Sequence, residues 1–153
     1  EPYLSRLLVN AQWDTPAREI AGYAANVKAM HGRGFALLGN AAEFLDPVFS
    51  SGITIAMRSA SMAAGVLDRQ LRGEAVDWTQ DFERPLRRGI DTFRTYVDAW
   101  YDGRFQTVMF SRNQVPGIRR MICSILAGYA WDETNPFVAE AERRLNMVAE
   151  LCA

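Results

Sequence analysis

The sequence predicts a mainly α-helical chain with a few short strands near its N-terminal end. Three observations carry that expectation. Apolar residues recur at three-to-four-residue spacing along four separate stretches, the signature of amphipathic helices. The one wholly apolar short run, Phe35-Ala36-Leu37-Leu38, lies early in the chain. Apolar residues are 49% and charged residues 23% of 153, an ordinary globular composition.

The elements follow in order. Tyr3, Leu4, Leu7, Leu8 and Ala11 suit a short helix, which Pro16 breaks. Residues 17–30 read as a strand or hairpin arm, on a weak alternation of Ile20, Gly22 and Ala24. The segment His31-Gly32-Arg33-Gly34 invites a dinucleotide-binding reading. That fingerprint needs a glycine where Leu37 stands, a strand before it and a helix after it, so a hairpin turn is expected instead. Phe35-Ala36-Leu37-Leu38 fits a fully buried strand of a parallel sheet covered on both faces.

From Asn40 to Pro47 no period holds. A long helix then carries Ile53, Ala56, Met57, Ala60, Ala63, Ala64, Leu67 and Leu71 as its facing stripe. Ser50 or Ser51 is its expected N-cap and Gly73 its C′ residue. Asp77-Trp78-Thr79-Gln80 fits a capping box before a second stripe of Phe82, Leu86, Ile90, Phe93, Val97 and Trp100. Pro85 either kinks this helix or marks its true start, and Gly103 ends it. Residues 105–110 are apolar without a clear type. Ile118, Ile122, Ile125 and Tyr129 define a third helix after Pro116. Asn135-Pro136 opens a fourth with Phe137, Ala141, Leu145, Val148 and Cys152.

Several function classes drop out. Seventeen basic against 18 acidic residues leave a net charge of −1, which argues against a nucleic-acid binder driven by phosphate contacts. No run of about 18 apolar residues occurs, so no transmembrane segment is expected. A structural zinc site wants about four Cys or His ligands, and only Cys123, Cys152 and His31 are available. Both cysteines fall on apolar helical faces and read as buried reduced thiols. His31 reads as a surface turn residue. Phe93, Val97, Trp100 and Tyr101 read as core, with a tunnel or partner groove as the other use of such a stripe. Arg84, Arg87, Arg88, Arg119 and Arg120 read as a solvated face, with an acidic partner as the alternative.

One segment points to chemistry. A short strand ends at Gly39, an irregular stretch follows, and Ser50-Ser51-Gly52 opens a helix. Helix N-termini offer unpaired N–H groups and partial positive charge to an electron-rich ligand atom. Gly52 lets a ligand approach the backbone, and Asn40 can hydrogen-bond a hydroxyl. A ligand seat and a plain strand-loop-helix joint both satisfy this pattern.

The sixteen residues Gly39-Asn40-Ala41-Ala42-Glu43-Phe44-Leu45-Asp46-Pro47-Val48-Phe49-Ser50-Ser51-Gly52-Ile53-Thr54 resemble the second FAD motif of para-hydroxybenzoate-hydroxylase-type flavoproteins. Gly39, Pro47 and Gly52 stand at the motif spacings. The version F-L-D-P-x-F-S-S-G is most similar to flavin-dependent halogenases and their geranylgeranyl-reductase-like relatives. The resemblance implies the C-terminal fragment of an α/β FAD-binding fold. Residues 1–39 would end its substrate/FAD sheet region, 40–73 would carry the motif and its helix, and 74–153 would form the C-terminal helical region.

It also implies FAD contacts at Gly39, Asn40, Asp46, Pro47, Ser50, Gly52, Ile53 and Thr54, and a chloride seat at Ser51 and Gly52. The motif Asp position, here Asn40, would hold flavin-side hydroxyls. Gly52, Ile53 and Thr54 would present helix amides to the ring. Asn40, Glu43 and Thr54 depart from the usual Asp, His and Asn. Catalytic residues would lie upstream of residue 1, a view consistent with a chain that begins Glu1-Pro2-Tyr3 and lacks the pyrophosphate-binding glycine motif. The implied reaction is halide oxidation by a flavin hydroperoxide, with reduced FAD supplied by a flavin reductase. The substrate would be a small molecule or one bound to a carrier protein, and the setting cytoplasmic. A flavin monooxygenase, a reductase or a non-catalytic helical module are the alternatives.

Overall fold

The structure, a computed structural model, describes residues 1–12, 14–112 and 115–152. Its regular elements are helices α1 (Pro2–Leu7), α2 (Gly52–Leu71), α3 (Arg84–Tyr101), α4 (Arg104–Met109), α5 (Pro116–Leu126), α6 (Pro136–Ala139) and α7 (Ala141–Cys152). The strands are β1 (Ala25–Asn26), β2 (His31–Gly32), β3 (Phe35–Ala36) and β4 (Glu43–Phe44). The mainly α expectation with a few early strands holds.

The strands form two antiparallel pairs, not a parallel sheet. β2 and β3 make a hairpin closed by Arg33-Gly34, with Gly34 at φ 84°. The turn reading of this segment is therefore right. β1 pairs with β4, Ala25 facing Phe44 and Asn26 facing Glu43. The expected buried strand at 35–38 is not buried, since Phe35 is 53% exposed and Leu38 38%. Residues 17–24 form no strand or hairpin arm. Two-residue strands are too short to leave an alternation in the sequence.

α1 forms as predicted but stops at Leu7. The carboxylate of Glu1 caps it, accepting from the Tyr3 and Leu4 amides at 2.9 and 2.6 Å. None of its residues is buried.

α2 begins where expected, and its C-terminus is closed by Gly73 at φ 84°. The Gly73 amide donates to the Gln70 carbonyl and the Glu74 amide to the Arg69 carbonyl, a Schellman closure. The buried face differs from the predicted stripe. Ile55, Ser59, Ala63 and Val66 pack inward, whereas Ile53, Met57, Leu67 and Leu71 are exposed. Ser51 occupies the N-cap position without a side-chain cap bond, so neither serine caps in the expected way.

The second stripe is a helix as predicted. Asp77 Oδ1 accepts from the Thr79 and Gln80 amides, half of a capping box. Asp81, not Gln80, supplies the return bond to the Asp77 amide, because Gln80 is engaged by Arg84. Residues Thr79–Glu83 form a π turn, and α3 proper starts at Arg84 beside Pro85. Proline has no amide to donate, so a helix start suits it. Gly103, at φ 90°, separates α3 from α4, which resolves the untyped stretch 105–110 as helix.

The third helix ends at Leu126, leaving Tyr129 outside it and 63% exposed. The fourth breaks at Glu140 into α6 and α7. Asn135 caps α6 as predicted, accepting from the Phe137 amide at 2.9 Å.

The core lies among α3, α4, α5 and α7, where Phe82, Phe93, Tyr96, Phe105, Ile122 and Leu145 are at most 1% exposed. The Tyr96 hydroxyl donates to the Phe137 carbonyl at 3.0 Å, and burial raises its pKa strongly. The Trp131 indole donates to the Pro85 carbonyl at 2.9 Å, and its ring fills the place a Cβ on Gly89 would take. Phe93 and Val97 are core and Trp100 is half-buried, but Tyr101 is 68% exposed. Cys123 is exposed and Cys152 half-buried, so neither is a fully buried thiol. Among the described residues no helix is long and apolar enough to cross a membrane.

Candidate functional site

Two short turns and a strand build the segment between β3 and α2. Gly39–Ala41 is one turn of 3-10 helix, β4 follows, and Pro47–Phe49 is a second 3-10 turn. Gly39 sits at φ 52°, and a Cβ there would lie 3.0 Å from the Ala56 Cβ. Its amide donates to the Ser59 hydroxyl at 2.9 Å, tying the start of the segment to the buried face of α2. Ser50, at φ 53°, is the one non-glycine at positive φ among the described residues. Such strain costs about 1–3 kcal/mol and gathers at functional sites.

The segment borders an open cavity of about 520 Å³ at the N-terminus of α2. Gly39, Asn40, Asp46, Pro47, Ser50, Ser51, Gly52 and Ile53 all line it. Eight of the nine expected contacts are therefore brought together. Thr54 is not: it borders a separate cavity, where a Cβ on Gly128 would come within 3.3 Å of its methyl. A helix turns about 100° per residue, so Ile53 and Thr54 diverge.

The cavity has the chemistry of a flavin seat. Leu38, Phe44, Leu45 and Ile55 give it apolar walls. At its helix end no side chain caps the first turn, which leaves the Gly52 and Ile53 amides to an electron-rich ring atom, while the Ile55 amide already donates to the Ser51 carbonyl at 2.9 Å. Gly52 faces Asn40 across the opening: a Cβ there would stand 3.5 Å from Asn40 Oδ1, in ordinary van der Waals contact. These residues fit the FAD that the resemblance implies. Asp46 is committed to the loop itself. Its Oδ1 accepts from the Val48 amide at 2.8 Å, and its Oδ2 accepts from the Tyr101 hydroxyl at 2.8 Å and from Tyr23 at 3.5 Å. The bond to Asp46 raises the Tyr101 pKa.

Sequence reasoning missed the groups that hold the segment from outside. Tyr101 and Tyr23 lie 55 and 23 residues from Asp46, and nothing local marks them. Arg94 pairs with Glu43 at 3.1 Å. The local signal was a charge between apolar neighbours, Ala42-Glu43-Phe44. Arg87, expected on a solvated face, instead donates to the Val27 and Lys28 carbonyls and pairs with Glu83. Arg88 pairs with Glu133, and Arg84, Arg119 and Arg120 are exposed. His31 is half-buried, with Nε2 3.1 Å from the Thr79 hydroxyl and 3.4 Å from Glu83, so it is not a free surface residue. Among the described residues no cluster of three His, Cys, Asp or Glu is placed to hold a metal.

Comparison with known proteins points to flavin enzymes. No family model matches the chain. It is 30% identical over 117 residues to the 1H-pyrrole-2-carbonyl-[peptidyl-carrier protein] chlorinase of Pseudomonas fluorescens, covering 74% of this chain and 25% of that protein. It is 34% identical over 113 residues to the tryptophan 2-halogenase of Chondromyces crocatus, covering 71% of this chain and 22% of that protein. A crystal structure of a flavoprotein/dehydrogenase from Cytophaga hutchinsonii superposes with a TM-score of 0.83 at 48% identity, over 86% of this chain and 32% of that one. The chain thus spans about a quarter of the halogenases and a third of the flavoprotein.

Proposed function

From the premise that this chain is a halogenase-like part of an FAD-dependent oxidoreductase, we propose that its cavity seats the flavin ring in a halide-oxidising enzyme. The observation that carries the reading is the cavity itself. One contiguous loop brings Gly39 through Ile53 around the uncapped N-terminus of α2. Bound FAD supplies the activation of dioxygen. The chain supplies the seat. Asn40 hydrogen-bonds polyol hydroxyls, the Gly52 and Ile53 amides face the ring, and apolar walls exclude water. The Ser51 and Gly52 backbone offers N–H groups to chloride, an anion suited to a helix start.

Residues 1–39 then form the edge of the sheet region, 40–73 the flavin loop and its helix, and 74–153 the helical cover. A flavin reductase delivers reduced FAD in the cytoplasm. The substrate is an electron-rich small molecule or one tethered to a carrier protein, as the names of two halogenase relatives state for those proteins.

The test uses the full-length gene product. It is expected to purify with, or be reconstituted by, FAD and to show oxidised-flavin absorbance. With a flavin reductase, dioxygen and chloride it is expected to chlorinate a pyrrole-type or indole-type acceptor. A protein that takes up no flavin refutes the reading. Nicotinamide-driven alkene reduction without any need for halide makes it a reductase.

A further inference from the structure

Glu43 is a buried acid on the wall of the cavity that the flavin seat described above does not use. Its side chain is 1% exposed, and it lines both the main cavity and a second one of about 400 Å³ behind it. Its Oε2 lies 3.1 Å from Arg94 Nη2. Arg94 is its one partner: beyond that ion pair Oε2 has no hydrogen-bond donor among the described residues. A buried carboxylate held by one half-exposed cation is costly and invites an explanation.

The two ends of this ion pair differ. Arg94 is 34% exposed and also faces Asp91 Oδ1 at 3.7 Å. Its charge is therefore screened by water and shared between two acids. Glu43 is screened by neither. A dipole with one end in water and the other in apolar surroundings projects the field of its buried end. The other charged groups around it are Arg87 and Asp91 on α3, with Asp46, Asp98 and Tyr101 on the second cavity. Burial raises the Glu43 pKa, while Arg94 and then Arg87 pull it down, which is the balance expected of a carboxylate held short of full compensation.

We propose that Glu43, held by Arg94, tunes the reduction potential of the flavin in this cavity by placing an incompletely compensated negative charge beside it. Reduction adds negative charge to the flavin ring, so a neighbouring carboxylate opposes it and keeps the reduced cofactor strongly reducing. The inference rests on the flavin reading of the cavity. It concerns a residue that acts through space, and its readout is a potential and not turnover.

The experiment is a midpoint-potential measurement by dye equilibration on the FAD-loaded full-length gene product. Glu43→Gln keeps the shape and removes the charge. It is expected to favour the reduced form about tenfold, which is about 30 mV for a two-electron couple. Glu43→Asp keeps the charge but shortens the side chain, and is expected to stay near the wild-type potential. Asp91→Asn leaves Arg94 to Glu43 alone and is expected to move the potential in the same direction as Glu43→Gln, by less. An unchanged potential in Glu43→Gln overturns the proposal. So does a shift in Glu43→Asp as large as that in Glu43→Gln, because a packing role alone predicts that. A wild-type protein that binds no flavin fails earlier and visibly, and takes the underlying reading with it.

Discussion

The helical body and α2 are built from similar residues yet stand differently. In α3 the apolar stripe Leu86, Ile90, Phe93 and Val97 is buried, and its other flank carries arginines that pair with acids. α2 is apolar on two faces. Ile55, Ala63 and Val66 pack inward, while Ile53, Met57, Leu67 and Leu71 face outward. The body spends its apolar residues on stability. The α2 region gives up part of that stability to frame a cavity and present its outer face. Cores reward packing, whereas sites tolerate exposure and strain.

Breaking the body should cost most. Phe93→Ala removes a ring with 0% exposure that lies 6.1 Å from Trp131, and is expected to destabilise by about 3–5 kcal/mol in urea unfolding. A cost below about 1 kcal/mol would place the core elsewhere. Gly89→Ala pushes a methyl into the Trp131 ring and is expected to cost about 1–3 kcal/mol.

In the site region, Gly39→Ala meets both a φ of 52° and the Ala56 methyl. It is expected to cost about 1–3 kcal/mol, and to weaken flavin uptake, read by fluorescence titration, more than the body variants do. The region also has its own pH response. The raised pKa of Glu43 means the folded state holds its proton more tightly than the unfolded state. Its contribution to stability therefore falls as pH rises from the ordinary glutamate range through its raised value. Asp102, lowered by its bond from Arg104, acts in reverse and loses stability as pH falls. Comparing melting curves of Glu43→Gln and wild type across that range isolates the first effect. Wild type should lose ground to the variant as pH rises. The smallest effect belongs to the outer face: Leu71→Ser in the 153-residue chain is expected to stay within about 0.5 kcal/mol. A larger cost would erase the contrast between the two faces of α2.

Much of this was legible in the sequence, for physical reasons that also mark its limits. Helices declared themselves through period and punctuation, as Gly73 and Gly103 did at their ends. The faces of α2 were not legible. The stripe from Ile53 to Leu71 and the stripe from Ile55 to Val66 are both largely apolar, and periodicity cannot say which one finds a partner. The loop of the site was legible because it is contiguous and its special residues have local causes. Its outer supports, Tyr23, Arg94 and Tyr101, come from distant parts of the chain, and only Glu43, a charge between apolar neighbours, hinted locally that one of them was needed. The break at Glu140 was missed for a similar reason, since the apolar stripe runs through it unbroken.

Trp131 also gives the molecule an optical gauge. Its indole is hydrogen-bonded to Pro85, set edge-on to Phe93, and covered by the Arg58 guanidinium 5.6 Å from the ring centre. Arg58 belongs to α2 and Pro85 to α3. Indole emission shifts colour with the charge standing over it. Any sliding of the cavity-framing helix against the body moves that charge, and with Trp13, Trp78 and Trp100 replaced by Phe the emission wavelength of Trp131 records it without a label.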